Sequence, residues 1–216
     1  MRRMFVAAAA ALLLAGCGNK PRQPDWLVNA DGAQERYQRA FLSGHDRVAD
    51  AEFARLRAEV TSTGQPALVA RVELTRCALR VASLDLAPCD GFETLRADAP
   101  EAERAYANFL AGTLTPEGAK ALPERYRGVL AAANAGAAVR AIEDPVSRVI
   151  AAGALLRAGR ADPLVLQVAA DTASEQGWRR AVLAWLGAQA LRAEQAGATE
   201  EAQRLRRRMA LAAQER

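Results

Sequence analysis

Nine prolines constrain this chain more than any other feature. Proline fixes φ and lacks a backbone N–H, so it is kept out of helix interiors and central strands but fits the first turn of a helix. Pro66, Pro100, Pro116, Pro123, Pro145 and Pro163 each stand just ahead of a segment with helical apolar spacing. Asp144-Pro145 and Asp162-Pro163 repeat one device, an acidic N-cap followed by proline where its missing donor costs nothing. Asp98-Ala-Pro-Glu101 has the form of a capping box, and Thr115-Pro116-Glu117 is a similar start. Pro21 and Pro24 fall in a polar lead-in, and Pro88 in a loop. Alternating strand patterns and hairpin dipeptides are absent. The chain therefore reads as all-α, with about eight or nine helices joined by short turns that favour antiparallel hairpins.

The apolar spacing predicts a first helix over 33–42, with Tyr37, Ala40 and Phe41 inward and Gly44 as its stop. A second begins near Asp46 and carries Phe53, Leu56 and Val60 on one face, ending before Gly64. A third opens at Pro66 and aligns Leu68, Val72, Thr75 and Leu79, with Cys77 on the same helix. Residues 84–91 read as a turn holding Pro88 and Cys89. Further inward faces come from Tyr106, Phe109 and Leu110, then from Tyr126, Val129 and Leu130. The small residues of 131–138 let backbones approach closely, with Gly136 as a break.

The N-terminal residues set the expected compartment. Arg2 and Arg3 precede an apolar run over 4–14 and the small residues Ala15 and Gly16, the order of an export signal. The run is shorter than the roughly 20 residues a membrane span needs. Leu14-Ala15-Gly16-Cys17 resembles a bacterial lipobox, the site where a lipoprotein precursor is cut and its new N-terminal cysteine acylated. The resemblance implies a signal peptide over 1–16, lipidation at Cys17, and a membrane held through acyl chains. Gly18 stands where an aspartate marks inner-membrane retention in some bacteria, which implies the periplasmic face of the outer membrane. Residues 17–30 read as a lipidated start and extended tether, with Trp26 and Leu27 docking where it ends. Residues 31–216 form one helical periplasmic domain, with 31–112 and 113–216 as possible halves.

With Cys17 taken by lipid, Cys77 and Cys89 remain as one pair in an oxidising compartment, where such pairs close. A Cys77–Cys89 disulfide is the expectation. Two buried free thiols, or a redox pair at a spacing far from Cys-x-x-Cys, are the alternatives. Loss of Arg2 and Arg3 with the leader leaves 27 basic against 25 acidic side chains. That balance gives no support to a nucleic-acid partner, which needs a basic patch or stripe.

The C-terminal third repeats itself loosely. Ala158-Gly159-Arg160-Ala161-Asp162 and Ala196-Gly197-Ala198-Thr199-Glu200 sit 38 residues apart, and each closes an alanine-rich helix on glycine. Residues 178–216 resemble a tetratricopeptide unit: Ala190 and Ala193 precede the turn at Gly197, Ala202 sits where that family packs a small side chain, and Leu205 and Met209 continue the face. The family's period is about 34 residues, and Leu186 stands where its tryptophan is expected. The resemblance implies a tetratricopeptide-like α-solenoid with a concave partner-binding surface. An irregular helical bundle is the alternative.

A catalytic set is hard to assemble from this inventory. His45 is the only histidine, at a helix start, and no Gly-x-Ser-x-Gly elbow occurs. An exposed turn histidine accounts for it. One histidine and two pairing cysteines give no metal set, no phosphate-cradling loop is present, and no cofactor is expected. Asp171 with Glu175, and Glu101 with Glu103, are pairs of the kind glycan cleavage uses, although helices carry such pairs as solvated faces.

Trp178, Val182 and Trp185 share one face beside Arg179 and Arg180, either as a partner groove or as the filled seam between hairpins. Arg204, Arg206, Arg207 and Arg208 form a basic cluster suited to an anionic lipid or an acidic partner, or a solvated face balanced by Glu194, Glu200 and Glu201. The expected function is a non-enzymatic, lipid-anchored interaction or scaffold module. It binds another envelope protein through Trp178, Arg179, Trp185, Arg204, Arg207 and Arg208. A periplasmic carrier or sensor of a small amphipathic ligand is the alternative, and an envelope hydrolase the third reading.

Overall fold

The computed structural model describes residues 23–214, among which there are eleven α-helices, a single 3₁₀ turn and no strand. In chain order these are α1 (Asp25–Ser43), α2 (Asp46–Thr61), α3 (Pro66–Ala82), α4 (Asp90–Glu93) and α5 (Glu101–Leu110). After the 3₁₀ turn (Gly118–Ala121) come α6 (Glu124–Arg127), α7 (Ala135–Arg140), α8 (Pro145–Arg157) and α9 (Pro163–Glu175). The chain then ends in the hairpin of α10 (Arg179–Gln195) and α11 (Thr199–Ala213). Nine of these helices exceed a single turn, in line with the eight or nine expected. The lipobox and Cys17 lie outside the described residues.

Proline starts the helices as expected except at Pro116, which precedes only the 3₁₀ turn, and it does so at one more place. Pro66, Pro145 and Pro163 occupy the first turns of α3, α8 and α9, and Pro123 caps α6. Pro24 does the same work at the N-cap of α1. That helix therefore takes in residues 25–30, which the sequence reading assigned to the tether, and Trp26 rests on the core. The capping box at Asp98 does not form: Pro100 is the N-cap of α5, and no side chain caps it. The two Asp-Pro caps do form. Asp144 Oδ2 accepts from the Ser147 N–H at 2.8 Å, and Asp162 Oδ1 from the Val165 N–H at 2.8 Å. Asp162 Oδ2 also accepts from the Gly136 N–H at 3.1 Å, tying α7 to the start of α9. Gly136 is no break. It lies within α7, where an added Cβ would come 2.5 Å from Leu164 Cβ.

Two helices make the centre. Ten of the seventeen residues of α3 are buried, as are eight of the thirteen of α8. A helix apolar on most sides needs covering on most sides. α1, α2, α4 and α5 pack around α3, while α5, α7 and α9 pack around α8. The two central helices touch where Gly153 of α8 meets the Val81 carbonyl of α3.

The C-terminal helices turn on one repeated device. Gly159 and Gly197, at φ 69° and 71°, close α8 and α10 in the left-handed region that glycine enters without a Cβ penalty. Gly177 closes α9 likewise, so the 38-residue spacing holds two helices. The last hairpin does not project away from the N-terminal helices. α10 packs against α1 as well as against α9 and α11. Arg180 Nε donates to the Phe41 carbonyl at 2.6 Å, its guanidinium pairs with Asp46, and Trp185 Nε1 donates to the Ala82 carbonyl at 2.9 Å. One apolar core, running from Ala30 to Leu205, joins the two possible halves.

Cys77 and Cys89 form a disulfide, with their Cα atoms 5.6 Å apart. Closing a loop of this length stabilises by about 3 kcal/mol on the chain-entropy account. The same loop is held by Arg80, whose Nε and Nη2 donate to the two Asp85 carboxylate oxygens at 2.7 and 3.1 Å.

Candidate functional site

A cleft of about 400 Å³ opens along one side of α3. Its walls are Leu74, Ala78 and Leu79 of α3, Ala102, Glu103 and Tyr106 of α5, Tyr126 of α6, and Val146 and Ile150 of α8. The packing dictates this arrangement. α5 and α8 both lie against α3 and against each other, so a gap between three cylinders is left where α5 carries few large side chains. Ala102 stands exposed at the rim.

Nine of the sixteen lining residues are polar or charged, and several are oriented by contacts with one another. Glu103 is 7% exposed, and its Oε1 accepts from Arg71 Nε. Its Oε2 is buried with no hydrogen-bond partner. A buried acceptor left unpaired costs about 1–3 kcal/mol, so this carboxylate is a point of unmet hydrogen bonding in the wall. Beside it on the same face of α5, Tyr106 stacks on Tyr126 of α6, with ring centroids 5.8 Å apart and planes at 24°. Burial pushes both hydroxyls above their ordinary pKa range. For Tyr126, contacts with the Ser147 and Tyr106 hydroxyls pull part of the way back. Both phenols therefore stay protonated donors at neutral pH. Arg125 Nη1 donates to Ser147 Oγ at 3.1 Å, and the N-cap of α8 fixes the Ser147 backbone. Arg125 and Tyr126 stand beside the Ser147 hydroxyl, and the Asp144 carboxylate lines the cleft next to them.

The sequence-derived site residues are not gathered into one site. Trp185 is fully buried and Trp178 is 8% exposed. These rings fill the seam of α10 against α3 and α9. Arg179 lines an open groove with His45, Gly177 and Leu211. Arg204, Arg207 and Arg208 lie exposed on α11, remote in sequence from the cleft walls, with Arg204 paired to Glu201 and Arg206 to Glu194. His45 is exposed, as a turn histidine would be. Asp171 and Glu175 are both exposed on α9 and converge on nothing. The pair Glu101 and Glu103 is split, one carboxylate in solvent and the other in the cleft wall. Among the described residues, no group of three or more metal-ligating side chains is placed to hold an ion.

One signal points to the cleft. Glu103, Tyr106 and Leu110 follow at i, i+3 and i+7, so the carboxylate shares the inward face of α5. A charge on an apolar face marks a buried polar site. The remaining walls come from segments far apart in the chain and carry no common motif.

Compared with protein-family models, curated proteins and solved structures, the chain matches none of them.

Proposed function

We propose that this chain is an exported, lipid-anchored binding protein that holds a small amphipathic ligand in the cleft between α3, α5 and α8. The observation that carries the reading is the cleft. Small-molecule sites are concave and mostly apolar, with a few convergent polar groups that fix orientation, and this one combines an apolar wall with Glu103, the tyrosine pair and Arg125. The free Glu103 Oε2 is an acceptor, while Tyr106 and Arg125 are donors. A ligand with an apolar body and a hydroxyl head meets both. The envelope-scaffold reading loses its aromatic anchors to the core and keeps Arg179, in an open groove with His45 and Leu211, and the basic face of α11. There Arg207 and Arg208 have no ion-pair partner among the described residues.

Calorimetric titration with octanol, octanoate and octylamine tests the ligand. Octanol is expected to bind saturably, its hydroxyl meeting acceptors and donors without adding a charge to the balanced set of Arg71, Arg125, Glu103 and Asp144. Ala102→Trp, at the exposed rim, is expected to abolish binding with the melting temperature unchanged. No saturable binding of any probe, or equal binding by Ala102→Trp, contradicts the proposal.

The anchor rests on the lipobox resemblance and is tested separately. Cys17→Ser is expected to move the protein from the membrane fraction to the soluble periplasmic fraction. A variant that stays acylated and sediments with membranes rejects the anchor while leaving the cleft intact.

A further inference from the structure

A second cleft, of about 390 Å³, lies on the other side of α3, bounded by α1, α2 and the first turn of α10. It shares no lining residue with the first. Three arginines edge it, and two of them rest on aromatic rings. Arg76 Cζ lies 4.9 Å from the Phe53 ring centroid, and Arg180 Cζ lies 4.5 Å from that of Phe41. Such stacking holds a guanidinium in place while leaving its in-plane donors free.

The donors of these groups are unevenly spent. Arg80 is committed to Asp85 and to the Pro88 carbonyl. Arg180 is committed to the Phe41 carbonyl and to Asp46. Arg76 makes no hydrogen bond or ion pair among the described residues, so its whole fork is available. Ser83, at the C-terminal end of α3, lines the same cleft and is 9% exposed, its Oγ buried without a partner. Tyr37, 2% exposed, lines the same wall, and burial raises its hydroxyl well above the ordinary range, which keeps it a neutral donor. The acceptors are fewer: Asp85 is already bound by Arg80, which leaves the exposed Asp50 carboxylate at the rim.

We propose that this cleft is a binding site for a small carboxylate, taken by the Arg76 fork with Ser83 and Tyr37 as hydroxyl donors. An unpaired planar guanidinium matches a carboxylate in two parallel hydrogen bonds. The surplus of donors over acceptors selects an oxyanion over a cation. Asp50 at the rim selects a monoanion over a dianion, because each added negative charge meets its repulsion. The disulfide contributes by position. It pins the loop that carries Asp85, so Arg80 is held against that loop and does not compete with Arg76 for the ligand.

The test is an NMR titration of the arginine Nε–H signals of the full mature chain with benzoate, acetate and inorganic phosphate, in separate runs at constant ionic strength. Benzoate and acetate are expected to shift the Arg76 signal saturably. Phosphate, titrated at about pH 8 where it is largely a dianion, is expected to bind at least several-fold more weakly than acetate at the same pH. Arg76→Gln, an exposed change that keeps the stem, is expected to weaken binding by about 10-fold or more, the range of a charge-assisted hydrogen-bond pair. Ser83→Ala is expected to weaken it by a smaller factor. Ala102→Trp is expected to leave it unchanged, which separates this site from the octanol cleft. Linear, non-saturating shifts, equal affinity in Arg76→Gln, or tighter binding of phosphate than of acetate would overturn the assignment.

Discussion

Replacing Gly153 with alanine is expected to destabilise the domain by about 3 kcal/mol, against the intrinsic preference of a helix for alanine. On propensity alone the change gains up to about 1 kcal/mol. The geometry reverses the sign. A Cβ at Gly153 would sit 2.3 Å from the Val81 carbonyl oxygen and 2.9 Å from its carbon, both backbone atoms of the opposing central helix. No rotamer change relieves a clash with backbone, so α3 and α8 must separate and give up packing along both. Overpacking a core costs roughly 1–3 kcal/mol, and a backbone obstacle places this case at the upper end. The melting temperature is expected to fall by about 6–12 °C for a domain of this size. Gly187→Ala is the matched control. In α10 an added Cβ meets only Met209 Cε at 3.6 Å, an ordinary contact. There the propensity gain is expected to survive as a small rise in melting temperature.

Trp185→Ala is expected to cost about 3–5 kcal/mol, the range for removing a large buried aromatic. Trp185 is fully buried, and its Nε1 donates to the Ala82 carbonyl in the last turn of α3, where a helix has no further donors of its own. The substitution leaves both a cavity and an orphaned carbonyl. It also loosens the join between the C-terminal hairpin and the N-terminal helices. Thermal or urea denaturation followed by circular dichroism reads the loss. If Trp185 were a surface anchor for a partner, the variant would keep its melting temperature and lose only binding.

Much of this fold was legible because proline and capping chemistry act locally. Asp144-Pro145 and Asp162-Pro163 fix helix starts through atoms two or three residues apart, and both caps form as the residues imply. The start of α1 was misplaced for a local reason too. Pro21 and Pro24 together read as an extended tether, yet Pro24 opens a helix by the same rule as Pro66. Gly136 shows the opposite limit. Its role is set by Leu164, which belongs to another helix and cannot be read from residues 131–138.

The site was less legible than the fold. The tryptophans and arginines of 178–208 stand out in a chain rich in alanine, but burial accounts for both tryptophans, and ion pairs for Arg180, Arg204 and Arg206. The cleft is defined by three helices meeting around a gap, a property of packing that no stretch of sequence carries. Glu103 is the exception, since its place on the inward face of α5 was open to inspection.

The most direct test of the central claim is a methyl-detected NMR titration of the mature chain with octanol. Saturable shifts confined to Leu74, Ala78, Leu79 and Ile150 are expected, all lost in Ala102→Trp. Shifts at the exposed Leu191 and Leu211 instead, or none at the four cleft methyls at saturating octanol, would contradict it.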